Sequence, residues 1–75
     1  MIKRKIKLNG TNDVKEFVTE AGKCQYDVDV YYNRVVIDAK SILGVLSMDL
    51  ARVLTVSFDE SNKEFDEFLD KYAAA

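Results

Sequence analysis

Histidine is absent from this chain and cysteine occurs once, so its candidate chemical groups are mainly hydroxyls and carboxyls. The absence of histidine excludes acid–base catalysis and metal ligation by imidazole. Cys24 alone can form neither an internal disulfide nor a cysteine-based metal cluster, so we interpret it as a bystander near the end of a helix. We expect no metal site and no cofactor.

The hydroxyl with the most informative surroundings is that of Ser41, within the stretch Ala39–Met48. A serine can cap a helix, and four large aliphatic residues and one methionine follow it within seven positions, around Gly44. A helix this short cannot bury five large apolar side chains behind one stripe. We therefore expect an exposed apolar patch beside the hydroxyl, as on a docking surface. Its candidate members are Ile42, Leu43, Leu46 and Met48.

The elements that must position this stretch follow from the periodicity of the rest of the chain. Period-two alternation predicts strands over Ile2–Leu8, Tyr26–Tyr32 and Leu54–Phe58, and the two-residue connection after Tyr32 predicts a hairpin partner over Val35–Asp38. Apolar residues at i, i+3, i+4 and i+7 predict one helix from Val14 to Ala21 and another from Phe65 to Tyr72. With the short helix after Ser41, the order is βαββαβα.

This order predicts a two-layer α+β domain over residues 1–75, with a four-stranded antiparallel sheet and three helices on one of its faces. The other face should be open to water. The residues that it would expose are Lys3, Lys5, Lys7, Asp27, Asp29, Thr55 and Ser57. We interpret the lysine row as a solvated sheet face, with a basic docking stripe as the alternative.

Short polar and glycine residues predict where these elements begin and end. Thr11, Asn12 or Asp13 can cap the first long helix, and Gly22 can end it. The Ser-x-x-Glu string that starts at Ser61 is a capping box for the last helix. Asn33-Arg34 is a two-residue hairpin connection, although arginine in the second position leaves a longer loop open. We expect the three terminal alanines to fray.

The stretch Ala-Lys-Ser-Ile-Leu-Gly-Val-Leu-Ser-Met resembles the Lys-Ser-Ile-Met-Gly-Val-Met-Ser-Leu signature of HPr, the small phosphocarrier of the bacterial sugar phosphotransferase system. The element order on both sides fits that family as well, so the resemblance covers nearly the whole chain. It implies the HPr-like open-faced β-sandwich, in which the strands lie in the order 1-4-2-3.

The resemblance fails where HPr carries its phosphate, on a histidine in a His-Ala-Arg-Pro string at the start of the first helix. Counting back from Ser41 without gaps, the histidine position falls on Gly10, the arginine position on Asn12 and the proline position on Asp13. None of the three residues is kept, and a carboxylate at Asp13 would repel phosphate. We therefore expect a protein that is not an enzyme and is not competent for phosphohistidine transfer.

The serine of the signature is kept. In HPr of many Gram-positive bacteria the matching serine is phosphorylated by a dedicated kinase, and the modified form binds a transcriptional regulator. The resemblance thus implies regulatory phosphorylation at Ser41, with an HPr kinase or a transcriptional regulator as protein partners. A plain helix cap is the alternative role for Ser41. The resemblance to HPr also implies a set of partner-docking positions, which are Ile42, Leu43, Leu46, Ser47 and Met48.

Composition excludes some other classes of function. The formal net charge is -2, which does not favour a nucleic-acid partner, and Asp27 and Asp29 interrupt any basic sheet surface. No signal peptide and no bilayer-spanning stretch are visible, so we expect a cytoplasmic protein without membrane contact. Two alternatives stay open: an HPr-fold interaction module unrelated to sugar transport, and a phosphocarrier that uses Asp13 or Thr11. The apolar patch could also serve self-association.

Overall fold

The chain forms seven elements in the predicted order, and a computed structural model describes residues 1–60 and 62–74 of it. The elements are β1 (Ile2–Ile6), α1 (Thr11–Gly22), β2 (Val28–Tyr32), β3 (Val35–Asp38), α2 (Ile42–Leu46), β4 (Leu54–Phe58) and α3 (Lys63–Asp70). The strands form one antiparallel sheet in the order β1-β4-β2-β3. The predicted α+β fold class and strand order are therefore confirmed.

One hydrophobic core joins the sheet to the three helices. Alternate strand residues such as Val30 and Val56 are fully buried in it, because period two places them on one face of the sheet. Each helix contributes buried residues from its apolar stripe. Phe65 of α3 lies edge-on to Phe58 of β4, with ring centroids 5.3 Å apart. Phe17 of α1 lies 6.5 Å from the same phenylalanine of α3.

The opposite face of the sheet is largely open, as predicted, but Thr55 is half-buried and Ser57 is buried. Across it, Lys3 pairs with Ser57, Ser57 with Asp29, and Asp29 with Asp38. The lysine and the two aspartates are exposed, but Ser57 is only 8% exposed, so its predicted exposure is wrong. A short side chain on an inner strand is covered by the longer side chains of the strands beside it.

The ends of α1 differ from the prediction. The N-cap residue is Gly10, which makes no side-chain capping bond, so the predicted caps at Thr11, Asn12 and Asp13 are wrong. Asp13 Oδ2 instead accepts a hydrogen bond of 2.9 Å from the backbone N–H of Asn9. At the other end Gly22 is the last helical residue, and the C-cap is Lys23 in a right-handed conformation.

The start of α3 also lies one residue from its predicted cap. Asn62 is the N-cap, and its side-chain oxygen accepts a hydrogen bond of 3.2 Å from Phe65 N–H. The residue expected to form the capping box, Ser61, lies outside the described residues. In the β2–β3 hairpin Tyr32 pairs with Val35, which confirms the two-residue connection.

The chain after α3 does not fray at Ala73 and Ala74, contrary to the prediction. Lys7 N–H donates to the carbonyl of Tyr72 at 2.9 Å, and Ala74 N–H donates to the carbonyl of Lys5 at 2.9 Å. Ala73 forms a β-bridge with Ile6. The outer edge of β1 is therefore closed by this segment; Ala75 lies outside the described residues.

Candidate functional site

Ser41 is the N-cap of α2, and its side chain is exposed. Its Oγ accepts a hydrogen bond of 3.2 Å from Gly44 N–H, and its carbonyl accepts the 3.0 Å bond from Val45 N–H that starts the helix. Its own N–H donates to the carbonyl of Asp38 at 2.9 Å, which ties the helix start to the end of β3. The hydroxyl thus acts as a cap and is also open to solvent.

The helix that follows Ser41 leaves three of its large apolar side chains open to solvent. Leu43 is 79% exposed, Leu46 38% and Ile42 36%, whereas Val45 is fully buried in the core. Ser47, the C-cap residue, is exposed, and its hydroxyl donates to the carbonyl of Gly44 at 2.6 Å. We call the surface formed by Ser41, Ile42, Leu43, Leu46 and Ser47 the Ser41 surface.

Met48 does not share this surface, and the expectation that it does is wrong. It is 8% exposed and belongs to the hydrophobic core. Its N–H donates to the carbonyl of Val45 at 3.1 Å, so the helical turn continues through this position. Residues three apart share one side of a helix, and Met48 therefore points inward with buried Val45.

The glycine of α2 allows the helix to pack closely against β3. The α carbon of Gly44 lies so close to β3 that a β carbon there would approach Cγ2 of Ile37 to 2.6 Å. Only a residue without a β carbon allows this separation with Ile37 in its present place. Because Gly44 and Val45 face the core, the side chains of Leu43 and Leu46 are turned toward solvent.

The charged neighbours of Ser41 already have partners. Lys40 Nζ donates a hydrogen bond of 2.9 Å to the carbonyl of Cys24, which holds the ammonium group against the loop before β2. Lys40 N–H donates to Asp38 Oδ1 at 2.9 Å, in the turn between β3 and Ser41. Cys24 itself is buried, and the atom that Lys40 contacts is its backbone oxygen.

The positions that match the phosphate site of HPr lie together at the start of α1. Gly10 is the N-cap there, Thr11 and Asn12 are exposed, and Asp13 is half-buried. The Asp13 carboxylate faces the backbone of Asn9 as a hydrogen-bond acceptor. The three positions are brought together, but they offer no arginine and place a carboxylate beside the amides of the helix start.

A contact close to this end of α1 was not predicted from the sequence. Tyr72, after α3, donates its hydroxyl to Glu16 Oε2 at 3.2 Å. Partial burial, the negative charge of Asp13 and this hydrogen bond raise the pKa of Tyr72 to about 12. The two residues are 56 positions apart, so no local pattern could have paired them.

The part of the chain that the structure describes offers neither a metal-binding cluster nor a membrane-spanning helix. No group of three or more histidine, cysteine, aspartate or glutamate residues among residues 1–60 and 62–74 could hold a metal ion. None of the helices in these ranges has the length and hydropathy needed to cross a bilayer.

Comparison with known proteins places the fold. No protein-family model matches the chain, and no curated protein matches it in sequence. Among solved structures, HPr-C-His from Thermoanaerobacter tengcongensis superposes with a TM-score of 0.77 and 22% identity, over 95% of this chain and 89% of that one. The phosphocarrier protein HPr from Bacillus anthracis str. Ames superposes with a TM-score of 0.71 and 23% identity, over 97% and 96%. The chain therefore has the fold of the HPr phosphocarrier proteins, and the resemblance that its sequence carries around Ser41 is confirmed at the level of the fold.

Proposed function

We propose that this protein is an HPr-like docking protein with a regulatory role, which does not carry phosphate on histidine and binds a protein partner through the Ser41 surface. The observation that carries the proposal is the exposure of Leu43, at 79%, beside an exposed serine hydroxyl. A side chain of this size costs free energy when it faces water, and its burial against a partner recovers that cost. The absence of histidine from the 75 residues removes the group on which HPr carries phosphate.

Phosphorylation of Ser41 is proposed as the switch of this docking. A phosphate adds a charge of about -1.5 to -2 and three strong acceptor oxygens to a surface that is otherwise apolar. A partner that places basic side chains over the Ser41 surface would then bind more tightly, and a partner with a purely apolar surface more weakly. An HPr kinase and a transcriptional regulator are the proposed partners, by analogy with HPr.

The docking is tested by affinity capture from the native host with the exposed leucine changed. Leu43→Asp places a charge at the centre of the Ser41 surface, and we expect it to lose the captured partner. Val53→Asp is the matched control, because Val53 is also an exposed aliphatic residue, at 39%, and lies just before β4. Equal capture by both variants and by the unchanged protein would contradict the docking proposal.

The switch is tested separately with an HPr kinase and ATP. We expect a mass increase of one phosphate that maps to Ser41 and disappears in Ser41→Ala. A protein that stays unmodified would remove the switch and leave the docking to be decided by the capture experiment. The identity of the captured partner also decides whether the module acts in sugar transport or elsewhere.

A phosphocarrier that uses another residue would behave differently. Incubation with phosphoenolpyruvate and the first enzyme of the phosphotransferase system would label such a carrier, and we expect no label here. Asp13 Oδ2 is held by Asn9 N–H, and no arginine occupies the matching position beside it. A label on Asp13 or Thr11 would replace the docking proposal with that of a carrier.

A further inference from the structure

The two outer edges of the sheet differ in whether another segment of the chain pairs with them. The segment Tyr72–Ala74 closes the edge of β1 with two backbone hydrogen bonds of 2.9 Å. The other edge is β3, which pairs with β2 on one side, and no strand among residues 1–60 and 62–74 pairs with its outer side. An unpaired edge presents a row of backbone donors and acceptors to any other strand.

The backbone groups that point outward from β3 can be identified from a hydrogen bond just after it. Ala39 N–H donates to the carbonyl of Val28 at 2.8 Å, so the backbone N–H and C=O groups of Ala39 point toward β2. The direction of the backbone groups alternates from one residue to the next, so those of Ile37 and Val35 also point toward β2. The N–H and C=O groups of Val36 therefore point away from the sheet, into the space where another strand would lie.

The side chains of β3 favour pairing rather than protecting the edge. Val35 is 52% exposed and Val36 is 62% exposed. The strand Val-Val-Ile-Asp contains no lysine and no proline, which are common means of blocking an edge, and its one charged residue, Asp38, lies at its end. It has regular pairing with β2 at all four residues, and three of the four are β-branched.

We propose that β3 is a self-association edge, at which two copies of this chain pair antiparallel across a two-fold axis and join their sheets into one of eight strands. Val36 lies opposite Val36 of the second copy, and the two residues exchange both of their outward backbone hydrogen bonds. Val35 then lies opposite Ile37 in each half of the interface. A second copy is the occupant because the edge is complementary to itself in charge as well as in hydrogen bonding.

The charges of Arg34, in the turn just before β3, and of Asp38, the last residue of β3, select this register. In an antiparallel pair centred on Val36, residues equally far before and after Val36 lie opposite each other. Arg34 of each copy therefore lies opposite Asp38 of the other, and an opposite-charge pair forms at both ends. Only certain shifts of one copy along the other keep their outward backbone groups facing each other, and the smallest of these centre the pairing on Ile37 or on Val35. The first shift sets Arg34 against Lys40, and the second sets Arg34 against Val36, so both lose the two ion pairs.

The dimer is expected to be weak and reversible, because one short strand from each copy buries less than the roughly 1,200 Å² of a stable interface. Sedimentation equilibrium or light scattering should show a concentration-dependent shift from monomer to dimer up to about 1 mM chain. A monomer throughout this range would overturn the proposal, and a trimer or larger assembly would contradict the two-fold register.

Val36→Pro tests the outward hydrogen bonds without touching those to β2. Proline removes an N–H that points away from the sheet and is tolerated in edge strands. Val36→Thr is the control, since it keeps the N–H and the β-branched shape. With folding of both variants verified by circular dichroism, we expect the proline variant to stay monomeric and the threonine variant to dimerise. Equal association of both would overturn the proposal.

The register is tested by charge complementation. In a homodimer Arg34→Glu sets the new carboxylate against Asp38, and Asp38→Lys sets the new ammonium group against Arg34, so each variant alone should be monomeric. A mixture of the two variants pairs the new carboxylate with the new ammonium group at one end and restores the original pair at the other, so it should form a heterodimer. Increasing the salt concentration should weaken this heterodimer, because the pairs are solvent-exposed. A mixture that remains monomeric would rule out the proposed register even if the unchanged protein dimerises.

Discussion

Gly44 and Ile37 are packed so closely that a β carbon on the glycine would lie 2.6 Å from Cγ2 of the isoleucine. This contact joins α2 to β3 and thereby fixes how far the Ser41 surface stands from the sheet. The helix has five residues and one fully buried side chain, Val45. This close approach, the hydrogen bond from Ser41 N–H to the carbonyl of Asp38 and the burial of Val45 together hold the helix in place.

Gly44→Ala is expected to destabilise the protein despite the higher helix propensity of alanine. Overpacking costs about 1–3 kcal/mol, and replacement of a helical glycine returns about 1 kcal/mol. We expect a net loss of up to about 2 kcal/mol in the free energy of unfolding measured with urea. In an Ile37→Ala background the same substitution should cost less, because the clashing methyl group is gone. Equal costs in both backgrounds would show that the contact is not the cause.

Ser41→Ala is expected to lower the free energy of unfolding by about 0.5–2 kcal/mol, because Gly44 N–H loses the hydroxyl that caps it. Ser41→Asn keeps a capping side chain and should retain most of the stability. The measurement is urea unfolding of the three proteins. If alanine and asparagine unfold at the same midpoint as serine, the hydroxyl contributes nothing as a cap and its only proposed role is regulatory.

Stability should fall at alkaline pH because of Tyr72. The pKa of this residue is about 12 in the folded protein and about 10 as the ordinary value. The unfolded chain loses the phenolic proton first. The contribution of Tyr72 to the free energy of unfolding is therefore constant below pH 10 and decreases as the pH rises toward 12. Burial also raises the pKa of Tyr26 to about 12, so part of the decrease belongs to that residue.

The contribution of Tyr72 can be separated by Tyr72→Phe. This variant lacks the hydrogen bond to Glu16 and should be slightly less stable near neutral pH, with a smaller decrease between pH 10 and pH 12. Urea unfolding at a series of pH values measures both effects. A variant whose stability falls as steeply as that of the unchanged protein would exclude Tyr72 as the source.

The segment after α3 should behave as part of the sheet. We expect slow hydrogen exchange at the amides of Lys7 and Ala74, which donate to Tyr72 and Lys5. Ala74→Pro removes one of these donors and should cost about 0.5–1.5 kcal/mol, whereas Ala74→Ser should change little. Exchange at both amides as fast as in an unstructured peptide would show that the terminus frays after all.

Local pattern was sufficient for the elements and for part of the candidate site. Alternation in β2 and the i, i+3, i+4, i+7 spacing in α3 reflect the geometry of strands and helices, so they predicted the order of elements correctly. That some large side chains of the short helix are exposed follows from a count, since five large residues exceed what one turn and a half of helix can bury. The same count could not say that Met48 would be the residue turned inward.

Other features required the tertiary structure. The burial of Ser57 depends on the neighbours that the sheet order places on both sides of β4, and these come from distant parts of the chain. Asp13 is a residue type that can cap a helix, but the helix begins after Gly10. The Asp13 carboxylate therefore lies inside the first turn, where it accepts a hydrogen bond from Asn9 N–H. The strand order leaves β3 at one edge of the sheet, whereas Tyr72–Ala74, from the far end of the chain, closes the edge of β1.

The sequence by itself thus determined the α+β class, the order of elements, the absence of a histidine and the small serine-headed helix, because each depends on residue type or on spacing within about ten positions. Only the tertiary structure decided which apolar residues of that helix face water, where Tyr72 finds its partner and which sheet edge is left open. The physical reason is that exposure, pairing and edge closure are properties of the surroundings of a residue, and those surroundings are supplied by segments far away in the chain.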